Sequence, residues 1–194
     1  MSDPRTSVGV VESLRVRCEW ANSAPEYVTY HDEEWGTPLR GDDALFERLC
    51  LEAFQSGLAW ITVLRKRPAF RAAFAGFAID AVAEFTADDE ARLMADAAIV
   101  RNRAKIAAAI RNARAAQEQS EGLSALLWSF APTEPRARAA TLADVPATSA
   151  ESVAMAKELK RRGFVFVGPT TAYALMQASG MVDDHVVDCF RAGA

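Results

Sequence analysis

The chain has 194 residues, 51% of them hydrophobic, and a formal net charge of −4 at pH 7. That describes one domain of ordinary size with enough apolar residues to bury a core, and the slightly acidic balance argues mildly against a nucleic-acid partner. No apolar run approaches the ~18 residues of a spanning helix, residues 1–17 carry Asp3, Arg5, Glu12, Arg15 and Arg17 where a signal peptide is apolar, and three cysteines make no disulfide framework, so reduced thiols in a cytoplasm and no membrane are expected.

In chain order, residues 1–16 lack a periodic pattern and read as a flexible N-terminal extension, with a single domain over 17–194. The stretch around Trp20, Tyr27, Tyr30 and Trp35 reads as loop. From residue 42 the pattern is helical: Asp42 or Asp43 caps, Leu45, Phe46, Leu49, Cys50, Ala53 and Phe54 form an apolar arc, and Gly57 stops the run. A second helix is predicted from Leu58 to about Arg67, and Pro68 opens a third that carries Phe70, Phe74 and Phe77. Thr86 and Asp89 resemble a capping pair before a short helix through Ile99, and Asn102 is placed to cap the Ala-rich helix that follows. Residues 131–147, with Pro132, Pro135 and Pro146, form one long connection. Thr148 and Glu151 have capping-box spacing and start a helix to Arg162; Gly163-Phe-Val-Phe-Val-Gly168 breaks the period, and Pro169 starts another that Gly180 ends. Strand signals are nearly absent. An all-α orthogonal bundle follows.

Both histidines of the chain sit in metal-ligand spacings with a cysteine, at opposite ends of the sequence: Cys18 with His31, and His185-x-x-x-Cys189. The second spacing puts two ligands one helical turn apart, and a Cys₂His₂ set satisfies tetrahedral zinc with no position left for water. One His-x-x-x-Cys pair arises often by chance, but here the set uses every histidine. The residues therefore propose a structural zinc that ties the two ends together.

Two helices joined by a Gly-bracketed turn, with Arg161 and Arg162 before it and Thr170 after it, form a plausible helix-hairpin-helix in which free N–H groups can hold a phosphate. The same turn also serves as plain punctuation. Further basic clusters (Arg65, Lys66, Arg67 and Arg71; Arg101, Arg103, Lys105, Arg111 and Arg114; Lys157 and Lys160) read either as a DNA face or as solvated helix faces. Trp20, Tyr27, Tyr30 and Trp35 gather near Cys18 and His31, where they are core rings or pocket rings. Glu52 falls about 20° from Leu45 on the helical wheel, so it borders the apolar arc although its type is seldom buried unpaired. It is a candidate recognition or acid-base group.

The segments RCEW (17–20), YVTYHDEEWG (27–36), LFERLCLEAFQSGLAWITVLRKR (45–67), IVRNRAKIAAAIRNA (99–113), KRRGFVFVGPTTAYALMQASG (160–180) and VDDHVVDC (182–189) resemble the type I 3-methyladenine DNA glycosylases, part of the helix-hairpin-helix glycosylase superfamily. The resemblance spans nearly everything after residue 16, in family order. It implies an enzyme that flips and excises N3-methyladenine from alkylated double-stranded DNA by hydrolysing the N-glycosidic bond, as a monomer. It implies Glu52 as the base-recognising and catalytic carboxylate, and Trp20, Tyr27, Tyr30, Trp35 and Trp60 as pocket aromatics. Zinc falls to Cys18, His31, His185 and Cys189, and the DNA-gripping hairpin, with Gly163, Gly168 and Thr170, to 163–170.

Three departures stand out. Asp183 and Asp184 lie roughly where many superfamily members place an essential Asp, but they adjoin His185 and read better as partners or caps of the metal ligand. Ala53-Phe54 replaces the Gly or Gln-type residues often found after the recognition Glu, and Phe54 is expected to alter the pocket wall. No lysine lies inside the turn, which argues against a Schiff-base lyase. A non-catalytic binder of alkylated bases and a zinc-stabilised helical interaction module are the alternatives.

Overall fold

The computed structural model describes residues 15–134 and 136–193. The expected extension therefore lies outside the described residues except for Arg15 and Val16, as does Pro135. Among the described residues nine α-helices follow one another: α1 Pro25–Glu33, α2 Asp42–Gln55, α3 Trp60–Ala73, α4 Ile79–Ala83, α5 Ala87–Ala95, α6 Arg103–Gln117, α7 Leu123–Trp128, α8 Ala150–Arg161 and α9 Pro169–Ala178. Short 3₁₀ turns at Glu19–Ser23, Ala75–Phe77 and Leu142–Asp144 link them, and no strand occurs among the described residues. The all-α expectation holds.

The core forms around α2, whose Leu45, Phe46, Leu49 and Phe54 are buried against Phe70, Phe74 and Phe77. Ring centroids 4.7 Å apart for Phe54 and Phe70, and 5.3 Å for Phe74 and Phe77, stack this aromatic ladder. Phe54 therefore does not reach a pocket wall. Two residues along a helix turn a side chain by about 200°, so Phe54 and Glu52 face opposite sides of α2.

Local capping signals match the structure unevenly. Asn102 caps α6 as expected, its Oδ1 accepting from Lys105 N at 3.2 Å, and Thr86 with Asp89 forms the expected reciprocal box. The box at α8 lies one residue further on, between Ser149 and Ser152, which exchange bonds of 2.9 and 3.2 Å. Asp42 and Asp43 do not cap their own helix. Asp42 Oδ1 accepts from Ser124 N at 2.8 Å and Asp43 Oδ1 from Ile79 N at 2.9 Å, so each caps the start of a distant helix, α7 and α4. Helix α3 runs unbroken through Pro68, which sits on its solvent side while Val63, Leu64 and Phe70 are buried. Packing of that face outweighs one lost backbone bond. The stretch read as loop before residue 36 contains α1, started by Pro25 in its first turn.

Candidate active site and metal centre

Helices α1, α2, α3 and α9 border an open cavity of about 390 Å³ lined by Trp20, Tyr27, Tyr30, Trp35, Glu52 and Trp60, every aromatic and acidic residue assigned to a pocket from the sequence. A concave apolar site with few polar groups is the usual form of a small-molecule site. Its rings hold one another: Trp20 stands edge-on to Tyr27 at 5.6 Å and to Trp35 at 5.2 Å, and Tyr30 lies 5.5 Å from Trp60. The Tyr27 hydroxyl accepts from Ile61 N at 2.8 Å, satisfying a free donor at the start of α3 and thereby fixing Trp60 beside it.

Glu52 is 6% exposed, and the described residues give its carboxylate no hydrogen-bond donor. Burial pushes its pKa up to about 7, against which the nearby Arg48 charge pulls down. Arg48 is itself committed elsewhere, to the Tyr30 hydroxyl at 3.0 Å and to Glu34 at 3.2 Å, and Glu34 takes a two-pronged pair of 2.6 Å bonds from Arg67. The cavity thus presents one carboxylate whose acceptors are free. A group of this kind recognises a donor edge or a positive charge.

Behind the aromatic wall lie Cys18, His31, His185 and Cys189, all buried, with ligand atoms all within 4.8 Å of one another. Cys189 Sγ is 3.3 Å from His31 Nε2 and 3.5 Å from His185 Nδ1, and Cys18 Sγ is 3.7 Å from His185 Nδ1. Bond lengths of about 2.0–2.3 Å at a tetrahedral zinc separate its ligand atoms by roughly 3.3–3.8 Å, so these three separations suit the ion. The chemistry of the set agrees. Burial, with Cys189 alongside, pushes the Cys18 thiol up to about 12, and burial with His31 alongside pushes His185 down to about 4, so burial opposes charge on both residues. His31 Nδ1 is held by Asp32 Oδ1 at 2.8 Å, the carboxylate partner that orients a ligating ring, and Asp32 is held in turn by Arg17 at 2.7 Å.

One expectation about this cluster fails and another holds in part. His185 and Cys189 are not on a helix: the segment is irregular, closed by a bond of 2.9 Å from Cys189 N to Val186 O. Nor does either aspartate hold the His185 ring. Asp183 accepts from the backbone N of His185 at 3.2 Å and pairs with Arg138 at 2.7 Å, which is a capping role, while Asp184 accepts from Tyr173 and Gln177.

Helices α8 and α9 are joined by a turn in which Gly163 takes φ 92° and Phe166, exposed, takes φ 58°. The side chain of Asn112, fully buried on α6, clamps this turn by donating to Val165 O at 3.0 Å and accepting from Val165 N at 2.8 Å. Gly168 precedes α9 with ordinary extended backbone, and a Cβ added there would touch nothing within 4 Å. Thr170 lies in the first turn of α9, where N–H groups lack helical partners. Several cations of the basic clusters are internally committed: Arg65 to Glu26, Arg71 to Glu47, Arg161 and Arg162 to Glu158, and Lys105 to two backbone carbonyls.

Residues 20–192 match the methyladenine glycosylase family model. DNA-3-methyladenine glycosylase 1 of Escherichia coli strain K12 is 46% identical over 177 residues, covering 89% of this chain and 95% of that protein. The chain belongs to the methyladenine glycosylase family. A crystal structure of a 3-methyladenine DNA glycosylase I superposes with a TM-score of 0.87 at 44% identity, covering 91% of this chain and 99% of that one. The Staphylococcus aureus 3-methyladenine DNA glycosylase I, solved to explain 3-methyladenine recognition, superposes with a TM-score of 0.86 at 34% identity over 92% and 97%. Within this family member, the cavity also takes in Ser23, Gln55, Leu142, Ala174 and Gln177, none of which the sequence reading singled out. Gln177 had a signal: it is the polar residue in the otherwise apolar run from Ala172 to Ala178, broken elsewhere only by the hydroxyl of Tyr173.

Proposed function

We propose that this chain is a DNA glycosylase that releases N3-methyladenine from alkylated double-stranded DNA, acting as a monomer in the cytoplasm through one domain over residues 17–194. The observation that carries the reading is Glu52, a buried carboxylate without an internal donor, in an aromatic cavity of a methyladenine glycosylase family member. A base inside a duplex is out of reach, so it must be extruded and held between flat faces while its edge is read. N3-methyladenine in DNA carries a positive charge that adenine lacks. Trp60 and the other rings add a cation–π attraction of about 1–2 kcal/mol for the lesion alone. Glu52 accepts from the exocyclic amine and stabilises that charge. Breaking the C1′–N9 bond sends its electron pair into the ring cation, so the base departs neutral; water adds at C1′ and gives up a proton.

The helix-hairpin-helix over α8 and α9 grips the DNA backbone through the turn at Gly163 and the N–H groups after Gly168, including Thr170. One zinc ion fits Cys18, His31, His185 and Cys189 and, with four protein ligands, supplies structure and no open position for chemistry. No lysine occurs in 163–168, and the buried Lys105 amine is bonded to the Phe54 and Ser56 carbonyls. The reaction therefore stops at base removal, and borohydride traps no protein–DNA adduct during turnover. The deciding assay is chromatographic detection of free 3-methyladenine from methylated DNA. Tight binding of the DNA without release would make the chain a damage binder, and neither binding nor release would leave a helical interaction module.

A further inference from the structure

Helix α9 presents Tyr173 and Gln177 one turn apart, and both bond the same oxygen. Tyr173 donates its hydroxyl to Asp184 Oδ2 at 2.5 Å, and Gln177 Nε2 donates to the same atom at 2.9 Å. Arg136, from the connection before α8, donates to the Tyr173 hydroxyl at 2.8 Å. The direction of every bond in this chain is forced. A guanidinium only donates and an ionised carboxylate only accepts, so Tyr173 passes its hydrogen to Asp184 and Gln177 must turn its NH₂ end the same way. Flipping the amide would set its carbonyl oxygen against the carboxylate. Asp184 lies outside the aromatic cavity, lining a separate pocket with Arg136 and Arg138, whereas Gln177 lines the aromatic cavity together with Glu52. One N–H of Nε2 is committed to Asp184, which fixes the amide plane and leaves Oε1 as the amide's acceptor, and the described residues give that oxygen no donor.

We propose that Gln177 is a specificity-determining residue: its amide oxygen, held in one orientation by Asp184, accepts from the exocyclic amine of the bound purine beside Glu52. This rests on the reading of the cavity as a base pocket. An exocyclic amine carries two N–H groups and so satisfies two acceptors, one from each residue. A 6-oxo purine turns an acceptor toward both and leaves all three oxygens unpaired and desolvated. Sites built around a matched hydrogen bond reject the mismatched analogue far better than apolar walls do, because buried polar groups lose their partners. The selection therefore operates on the 6-position of the base, independently of methylation at N3.

The test titrates two neutral free bases, 3-methyladenine and 3-methylhypoxanthine, into the full chain and into Gln177→Met, which keeps length and removes both amide atoms. The parent is expected to prefer the amine base by at least about tenfold. Gln177→Met should lose roughly tenfold on 3-methyladenine with little change for 3-methylhypoxanthine, collapsing the ratio. A variant that keeps the parental ratio overturns the assignment of Gln177 while leaving the base pocket in place. A parent that binds neither base overturns the pocket reading itself. Should Gln177→Met fail to fold, Gln177→Asn, which withdraws the amide by one methylene, is read against the same ratio.

Discussion

An ionised Glu52 has to give up its hydration beside an apolar wall, and its pKa of about 7 against an ordinary 4.5 records the cost. Between those values the folded chain keeps a proton that the unfolded chain releases, so each step up in pH costs stability, and the loss is complete above about 7. Glu52→Gln removes the titration. The variant should be more stable than the parent at pH 8 by about 1–3 kcal/mol and should lose most of that advantage at pH 4.5, as urea unfolding at the two pH values will report. Base capture runs the other way, since only the carboxylate pairs with a cation: excision by the parent should rise as pH passes through about 7, and Glu52→Gln should flatten that rise. Stability gained without function lost would make this carboxylate structural. At this scale the sequence was informative because the site is built from unusual residue types. A carboxylate on an apolar arc and three tryptophans announce themselves. Ser23 and Ala174 do not, since each is of a common type and is given meaning only by what folds against it, and Gln177 is marked only by its polarity in an apolar run.

Element starts were legible where the capping partner is local and obscure where it is distant. Thr86 with Asp89, or Asn102 with Lys105, can be read from a window of four residues. Asp42 caps a helix 82 residues away and Asp43 one 36 residues away, which no window contains. The same holds for Lys105. It reads as one cation in a basic series, yet it is 8% exposed and donates to Phe54 O at 2.9 Å and Ser56 O at 2.6 Å, closing the C-terminal end of α2. Lys105→Met should therefore cost about 2–3 kcal/mol in chemical denaturation, because two carbonyls lose their donor, and should weaken base binding by loosening the turn between Glu52 and Trp60. The hairpin calls for a different probe. Gly163 has φ 92° and is strained by any side chain, whereas Gly168 has ordinary backbone and open space at its Cβ. Gly168→Val should leave the melting temperature close to that of the parent and weaken DNA binding severalfold whatever the base, since backbone contacts position and do not specify. Undiminished affinity for duplex DNA would move the hairpin out of the interface.

Across the whole molecule, the metal cluster and the base cavity share a wall. Trp35 stands edge-on to His185 at 4.6 Å and Trp20 to His31 at 5.4 Å, while both tryptophans line the cavity. The ligand spacing was visible in the sequence, but the means of assembly was not: His185 and Cys189 meet Cys18 through irregular backbone, with Phe190 N bonded to Val16 O at 2.9 Å, and no periodicity encodes such a path. A zinc bound there closes a loop of 167 residues between Cys18 and His185. On a chain-entropy argument a cross-link of that span is worth about 5 kcal/mol, and the phenylalanine core built on α2 is a separate source of stability that the metal does not touch. Removal of the metal should thus lower the melting temperature without abolishing the cooperative transition, and should also weaken 3-methyladenine binding because Trp20 and Trp35 lose their backing. Cys189→Ala, with zinc measured by elemental analysis, separates the two effects from chelator artefacts: the variant should lack the ion, melt earlier and bind the free base more weakly than the parent. A parent purified without chelator that contains no zinc, or a zinc-free variant with parental base affinity, would show that the cluster and the cavity are neighbours with no energetic connection.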